Sequence, residues 1–289
     1  MAVSWKHALG AGLCLWGMAC SGGQGEDAGA DASANASSLA VLQLEKRVNP
    51  NSTHARFVTG AKVARYRGID GDALLRLFGA NTRDLETCEV TAGGLDDYSV
   101  ASEATVELLP VGAIAVRLGD TRQALLPRLF PALASTASGS FYAGGSDLSG
   151  VSFEESTPYS LSAEGSGGVG RFTLSGFAPP AVEELRLQGL PSQEAKVVRR
   201  AGDLVITWRP QTGVDRVEFD LFSGGSFLAC AARDDGEFTI SRGHLLGLEP
   251  DDNASMSIRR ARFSEVDMTG VDAAYARVEA SYTVSVQVR

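Results

Sequence analysis

The sequence predicts a mainly β protein built as two antiparallel β-sandwich-like domains, the first with a short helix, preceded by a disordered tether. Three observations carry this reading. At the C-terminus Val278, Ala280, Tyr282, Val284, Val286 and Val288 alternate with Glu279, Ser281, Thr283, Ser285, Gln287 and Arg289, the period-two pattern of a half-buried strand. Shorter alternations recur at Leu204, Ile206 and Trp208, at Val217, Phe219 and Leu221, and at Phe238 and Ile240. Turn-forming clusters at 209–213, 223–225 and 234–236 separate them. Residues 21–38 are a Ser, Gly, Ala and acidic mixture with too little apolar surface to offset the entropy of ordering.

Taken from the start, Lys6 precedes an apolar run over residues 8–18, the length of a signal-peptide core and shorter than the about 20 apolar residues that span a bilayer. This gives a signal peptide over 1–19, a tether over 20–38, a β-rich domain over 39–179 and a β-sandwich over 180–289. Ala19 before Cys20, with a polar tether directly after it, resembles the leader of bacterial lipoproteins. The resemblance implies diacylation of Cys20, palmitate-type anchoring to a membrane and a place in the cell envelope. Ser21 resembles the sorting pattern for the outer membrane, facing periplasm or cell surface. The alternative is ordinary signal cleavage, for which Gly17-Met18-Ala19 and Ala34-Asn35-Ala36 both supply small residues.

In the first domain Asp70 can cap a helix running through 72–78, and Gly79 can end it. Strands are expected near 105–109, 113–118, 139–142, 159–163 and 171–177, the first two joined as a hairpin through Val111-Gly112. In the second domain about seven segments start near Glu184, Leu204, Val217, Leu228, Glu237, Ser255 and Arg277, the number that makes an immunoglobulin-like sandwich. A phase slip between Met256 and Phe263 predicts a bulge near Arg259-Arg260. The run Leu204-Val205-Ile206-Thr207-Trp208-Arg209-Pro210, the strand Val217-Glu218-Phe219-Asp220-Leu221 and the turn Leu248-Glu249-Pro250 resemble fibronectin type III domains, which implies a core role for Trp208. The chain as a whole is similar to lipoproteins of predatory myxobacteria, a likeness that implies no activity.

The formal net charge of −9 disfavours a polyanion, so no nucleic-acid partner is expected. The clusters Arg199-Arg200 and Arg259-Arg260 with Arg262 read as solvated faces. Gly165-Ser166-Gly167-Gly168-Val169-Gly170 satisfies G-x-G-x-x-G, but an alternating strand follows where a dinucleotide site needs a helix, so it reads as a hairpin tip. His54 and His244 have no metal-ligand neighbours at useful spacing, and no G-x-S-x-G occurs, Ser146 coming nearest. The acid pairs Glu154-Glu155, Glu183-Glu184 and Asp96-Asp97 read as loop carboxylates, and Asp234-Asp235-Gly236 and Asp251-Asp252-Asn253 as turns before calcium sites. No catalytic residue, cofactor or metal is therefore assigned. Cys88 and Cys230 read either as separate buried thiols or as a disulfide stapling the two domains. The expected role is a lipid-anchored envelope protein with a non-enzymatic binding or structural function toward a protein or glycan. The rival is an envelope carbohydrate-binding protein or hydrolase with a loop-built site, its rings drawn from Phe141, Tyr142, Tyr159 and Phe222.

Overall fold

The C-terminal alternation becomes the strand around which the rest is arranged. The structure is a computed structural model that describes residues 36–48, 56–80, 83–91, 104–133, 137–144, 157–212 and 216–289. In it β18 (Ala273–Val288) pairs antiparallel with β17 (Asp251–Glu265) on one side and parallel with β1 (Ser37–Val48) on the other. Beyond β17 follow β14 (Arg216–Ser223), β15 (Ser226–Ala232) and β3 (Thr87–Thr91). Beyond β1 follow β2 (Arg56–Arg67), β4 (Thr105–Leu108), β7 (Ala137–Gly144), β6 (Thr121–Leu133), β5 (Ile114–Leu118), β8 (Pro158–Ala163) and β9 (Phe172–Phe177). With β12 (Val197–Val198) paired to β18, this is one sheet of 14 strands. A second sheet of four has the order β11 (Leu190–Pro191), β10 (Arg186–Leu187), β13 (Leu204–Thr207), β16 (Glu237–Ile240).

The long sheet encloses the first core by folding over itself. Ile114 of β5 faces Leu125 of β6, and one residue later Leu126 faces Ala143 of β7, so a single strand leaves one layer and enters the other. Leu42, Leu44, Phe57, Val63 and Val278 thereby meet Ile114, Val116, Leu118, Leu161 and Phe172. The second core lies between the long sheet and the four-stranded one. Ile206, Trp208, Phe238 and Ile240 pack on Phe219, Leu228, Met256, Ile258 and Val284, with Trp208 and Phe219 rings 5.5 Å apart. Trp208 is 5% exposed, a core residue whose indole N–H donates to Asp234 Oδ1 at 2.6 Å.

The boundary at 179/180 falls between β9 and β10, yet both cores draw on each side of it. Met268 and the first half of β18 complete the first core, and Cys88 and Val90 of β3 pack on the second. Residues 36–289 accordingly form one compact unit. Three pairings, β1–β18, β12–β18 and β4–β7, are parallel, which period-two alternation cannot distinguish from antiparallel ones.

The helix α1 (Gly71–Leu77) has the Asp70 side chain accepting from the Ala73 N–H, and Gly79 follows at φ +80°. It buries Leu74 and Leu75 with Phe78 against Leu39, Val41, Ala64 and Leu108, on the opposite face of the sheet from the first core. A second, one-turn helix, α2 (Arg242–Leu246), carries His244, whose Nδ1 lies 2.9 Å from Ser241 Oγ.

Three expectations are corrected. The tether does not reach Ser38: Ser37 and Ser38 are strand, and Asp272 accepts from both the Ser38 N–H and hydroxyl. Val111-Gly112 is no hairpin turn, because β4 pairs with β2 and β7 while β5 pairs with β6 and β8. The segment between them is held by Leu109 N–H on Val63 O and by Val111 N–H on the Tyr142 hydroxyl, so it passes from one layer to the other. No bulge lies at Arg259-Arg260, since the register of β17 on β18 is continuous from Ala254 to Glu265 and shifts only between Asp251 and Ala254. The phase slip arises because β17 is buried on both faces there: Arg260 continues the even, core-facing set while Ala261 is enclosed on the other.

Candidate binding groove

Pleating assigns the odd-numbered residues of β17, β18 and β1 and the even-numbered residues of β14 to the face opposite the cores. That face carries charge where a solvated surface was expected. Register sets Arg259 between Glu218 on one side and Ser281 on the other, with Gln43 beside Arg277 and Glu45 beside Glu279. The end of α1 and the chain after it supply a wall with Arg76, Gly79 and Arg83, and β3 supplies Glu89 and Thr91. Between them is a groove of about 580 Å³, within the size range of ligand sites, lined by five arginines, five carboxylates, Phe222 and Phe227.

Its floor is an ion network. Arg277 donates to Glu218 Oε2 at 2.7 Å and also bonds Glu279; all three side chains are nearly inaccessible. Arg259 bonds Asp220 and lies 3.5 Å from Glu218 and 3.8 Å from Glu279. Burial by itself pushes the Glu218 carboxyl up, but Arg277, Arg259 and Arg216 outweigh it and hold it below the usual carboxylate range. Burial likewise pushes Glu45 up, and the hydrogen bond and charge of Arg47 with the Ser281 hydroxyl bring it down. The Arg259 guanidinium, which burial alone would lower, is held up by Asp220, Glu279 and Glu218. Arg216 and Arg277 both lie over the Phe263 ring, at 4.8 and 5.1 Å from its centre. Asp220 Oδ1 is buried without a hydrogen-bond partner among the described residues.

The residues expected to matter are distributed as follows. Cys20 lies outside the described residues. Cys88 and Cys230 are directly opposite in the β3–β15 pairing and joined by a disulfide, which fastens the edge strand that supplies Glu89 and Thr91 to the groove. Tyr142 and Tyr159 are buried in the first core, and Phe141 packs beside the helix, so of the four proposed sugar-stacking rings only Phe222 is exposed, at 51%. His54, Ser146, Asp96, Asp97, Glu154 and Glu155 lie outside the described residues. Glu183 and Glu184 are exposed and pair with Arg209. The glycine run forms the loop between β8 and β9, closed by a Ser166–Val169 bridge. Asp234 is a buried partner of Arg260 and Trp208, and Asp251 accepts from the Gly224 and Asn253 N–H groups, which lower its carboxyl. Among the described residues no group of three His, Cys, Asp or Glu side chains is placed to hold a metal, and no helix is long and apolar enough to cross a membrane.

The groove arginines Arg259 and Arg277 escaped the sequence reading, which treated Arg259-Arg260 as solvated. A signal was present: Glu218-x-Asp220 places two carboxylates, and Arg277-x-Glu279 an opposite-charge pair, two apart on strands whose other face is apolar.

No protein-family model and no curated protein matches the chain. Among solved structures it has low similarity to the Fcho1 mu homology domain of Danio rerio with bound Eps15 peptide, at 10% identity and a TM-score of 0.25 over 88% of this chain and 97% of that one. The yeast delta-COP-I mu-homology domain gives 10% identity and a TM-score of 0.19 over 88% and 98%. Likenesses at these scores carry no argument about function.

Proposed function

We propose that this chain is an exported, lipid-anchored protein of the cell envelope with a non-enzymatic binding role, attached through Cys20 and using the groove to hold a protein or glycan partner. The observation that carries the binding role is the groove itself, a concave charged floor enclosed by α1 and an edge strand fastened by a disulfide. The anchoring rests on the leader, on Ala19-Cys20 and on the polar segment that separates Cys20 from β1. Ser21 supports the outer membrane as the destination.

The hydrolytic rival needs a carboxylic acid kept protonated near neutral pH, hence a carboxyl moved upward. In the groove the carboxyls of Glu45 and Glu218 both move downward. A sugar platform needs exposed rings, and burial of Tyr142 and Tyr159 removes two of its four candidates.

Two measurements test the proposal. Cys20→Ser should move the protein from the membrane to the soluble fraction; retention in the membrane sinks the anchoring. An immobilised chain should retain an envelope component that Phe222→Arg with Phe227→Arg releases at unchanged melting temperature. Equal retention by that variant sinks the groove.

A further inference from the structure

We infer that the β14–β15 end of the groove binds an organic cation, an ammonium or guanidinium group, between Asp220 and the ring pair Phe222–Phe227. The inference rests on the groove being the binding surface and names what it recognises. Phe222 and Phe227 are directly opposite on adjacent strands, and both line the groove. Asp220 is two residues from Phe222 on the same face, so one carboxylate and two aromatic side chains line the same end of the groove. Rings beside a carboxylate are the combination that holds an organic cation, the rings through their quadrupoles and the carboxylate through charge and hydrogen bonding.

The charge distribution favours a cation over an anion. Arg259 is shared by Asp220, Glu218 and Glu279, while Glu218 also has Arg277 and Arg216. Asp220 has one guanidinium partner, Arg259, and among the described residues its Oδ1 is without a hydrogen bond. Glu89, 52% exposed beside the same end, adds a second carboxylate whose partner is Arg83 at 3.5 Å. An anion at Arg83, Arg259 or Arg277 would have to displace carboxylates already paired with them. The formal charge of −9 attracts cations to the surface as a whole.

The test is calorimetric titration of the detergent-solubilised full chain at low salt with three probes: agmatine, the N-acetylated and C-amidated tripeptide Gly-Arg-Gly, and the equally capped, charge-reversed Gly-Glu-Gly. A cation site binds agmatine or Gly-Arg-Gly and not Gly-Glu-Gly, and more weakly as salt rises. Binding of agmatine alone indicates a free amine or guanidine as the source, and binding of the peptide alone a basic side chain of a protein. Asp220→Asn should weaken binding about tenfold, Phe222→Ala about threefold to tenfold, and Phe222→Trp should tighten it. Phe222 is half-exposed, so its variants keep the fold and serve if Asp220→Asn does not. Failure of both cationic probes, or affinities untouched by Asp220→Asn and Phe222→Ala, overturns the inference. Binding of Gly-Glu-Gly that Phe222→Ala abolishes overturns it while leaving the groove as the binding surface.

Discussion

Arg259 and Arg260 are neighbours in one strand that face opposite sides of it, and what neutralises each differs. Arg260 is wholly buried on the side of the second core. It pairs with Asp234 at 2.8 Å and donates to the carbonyls of Ala181 and Arg209. Those partners lie before β10 and after β13, so the guanidinium ties the four-stranded sheet to β17. Arg259 faces the groove and is neutralised by carboxylates of β14 and β18, which it shares. A cation saturated by backbone and a single carboxylate holds structure together. One set among several carboxylates leaves residual charge for a ligand.

The sharpest way to break this comparison is Arg260→Met. It leaves the Asp234 carboxylate buried without its cation and two carbonyls without donors, so it should cost about 3 to 5 kcal/mol, read from urea denaturation. Adding Asp234→Leu should recover part of the loss, the remainder being the indole N–H of Trp208 left without its acceptor. A cost under about 1 kcal/mol for Arg260→Met would place this arginine with ordinary surface charges.

Next in size is the disulfide. Replacing Cys88 and Cys230 by Ala releases a cross-link between positions 142 apart in sequence and should cost about 2 to 4 kcal/mol. The loss should be local in order: amide exchange should rise first at Thr87–Thr91, the groove wall, and later in β17. Simultaneous loss of protection in both would mean that β3 is integral to the second core.

The division between legible and hidden features follows from what pattern can encode. Alternation located β13, β14, β16 and β18, and Asp70 with Gly79 located α1, because burial on one face and capping are local properties. Local pattern carries no record of which strand lies beside which. The parallel β1–β18 pair and the passage of β6 between layers were therefore hidden, and with them the joining of the two sandwiches. The groove was hidden for the same reason. Glu279 and Ser281 have the pattern of a solvated face, and only the neighbouring strands and the chain around α1 and β3 show that face to be enclosed.

Acid titration sharpens the groove side of the comparison with a smaller effect. The folded-state pKa of Glu218 is depressed, so its contribution to stability is fully present above the ordinary carboxylate value, about 4.3, and is lost as pH falls through the lower folded value. Glu45 acts in the same direction. The melting temperature should therefore fall as pH drops below about 4.3, and Glu218→Gln should make that fall shallower even though it lowers stability at neutral pH. An equally steep fall in the variant would mean that Glu218 is not held down by Arg277 and Arg259.

The smallest effect is expected at Phe222, and its smallness is informative. Phe222 on β14 and Trp208 directly after β13 are both aromatic residues of the second sandwich, but Trp208 is closed between the sheets while Phe222 keeps 51% of its surface on the groove face. Removing a ring that is already half in water forfeits about half of the roughly 1.5 to 3 kcal/mol of full burial and opens no cavity, so Phe222→Ala should cost about 1 kcal/mol of unfolding free energy. A cost of about 2 kcal/mol or more would show the ring to be structural, and would make any binding defect in the variant uninterpretable as recognition. A small change in stability, with loss of binding, is what separates a residue retained for a ligand from one retained for the fold.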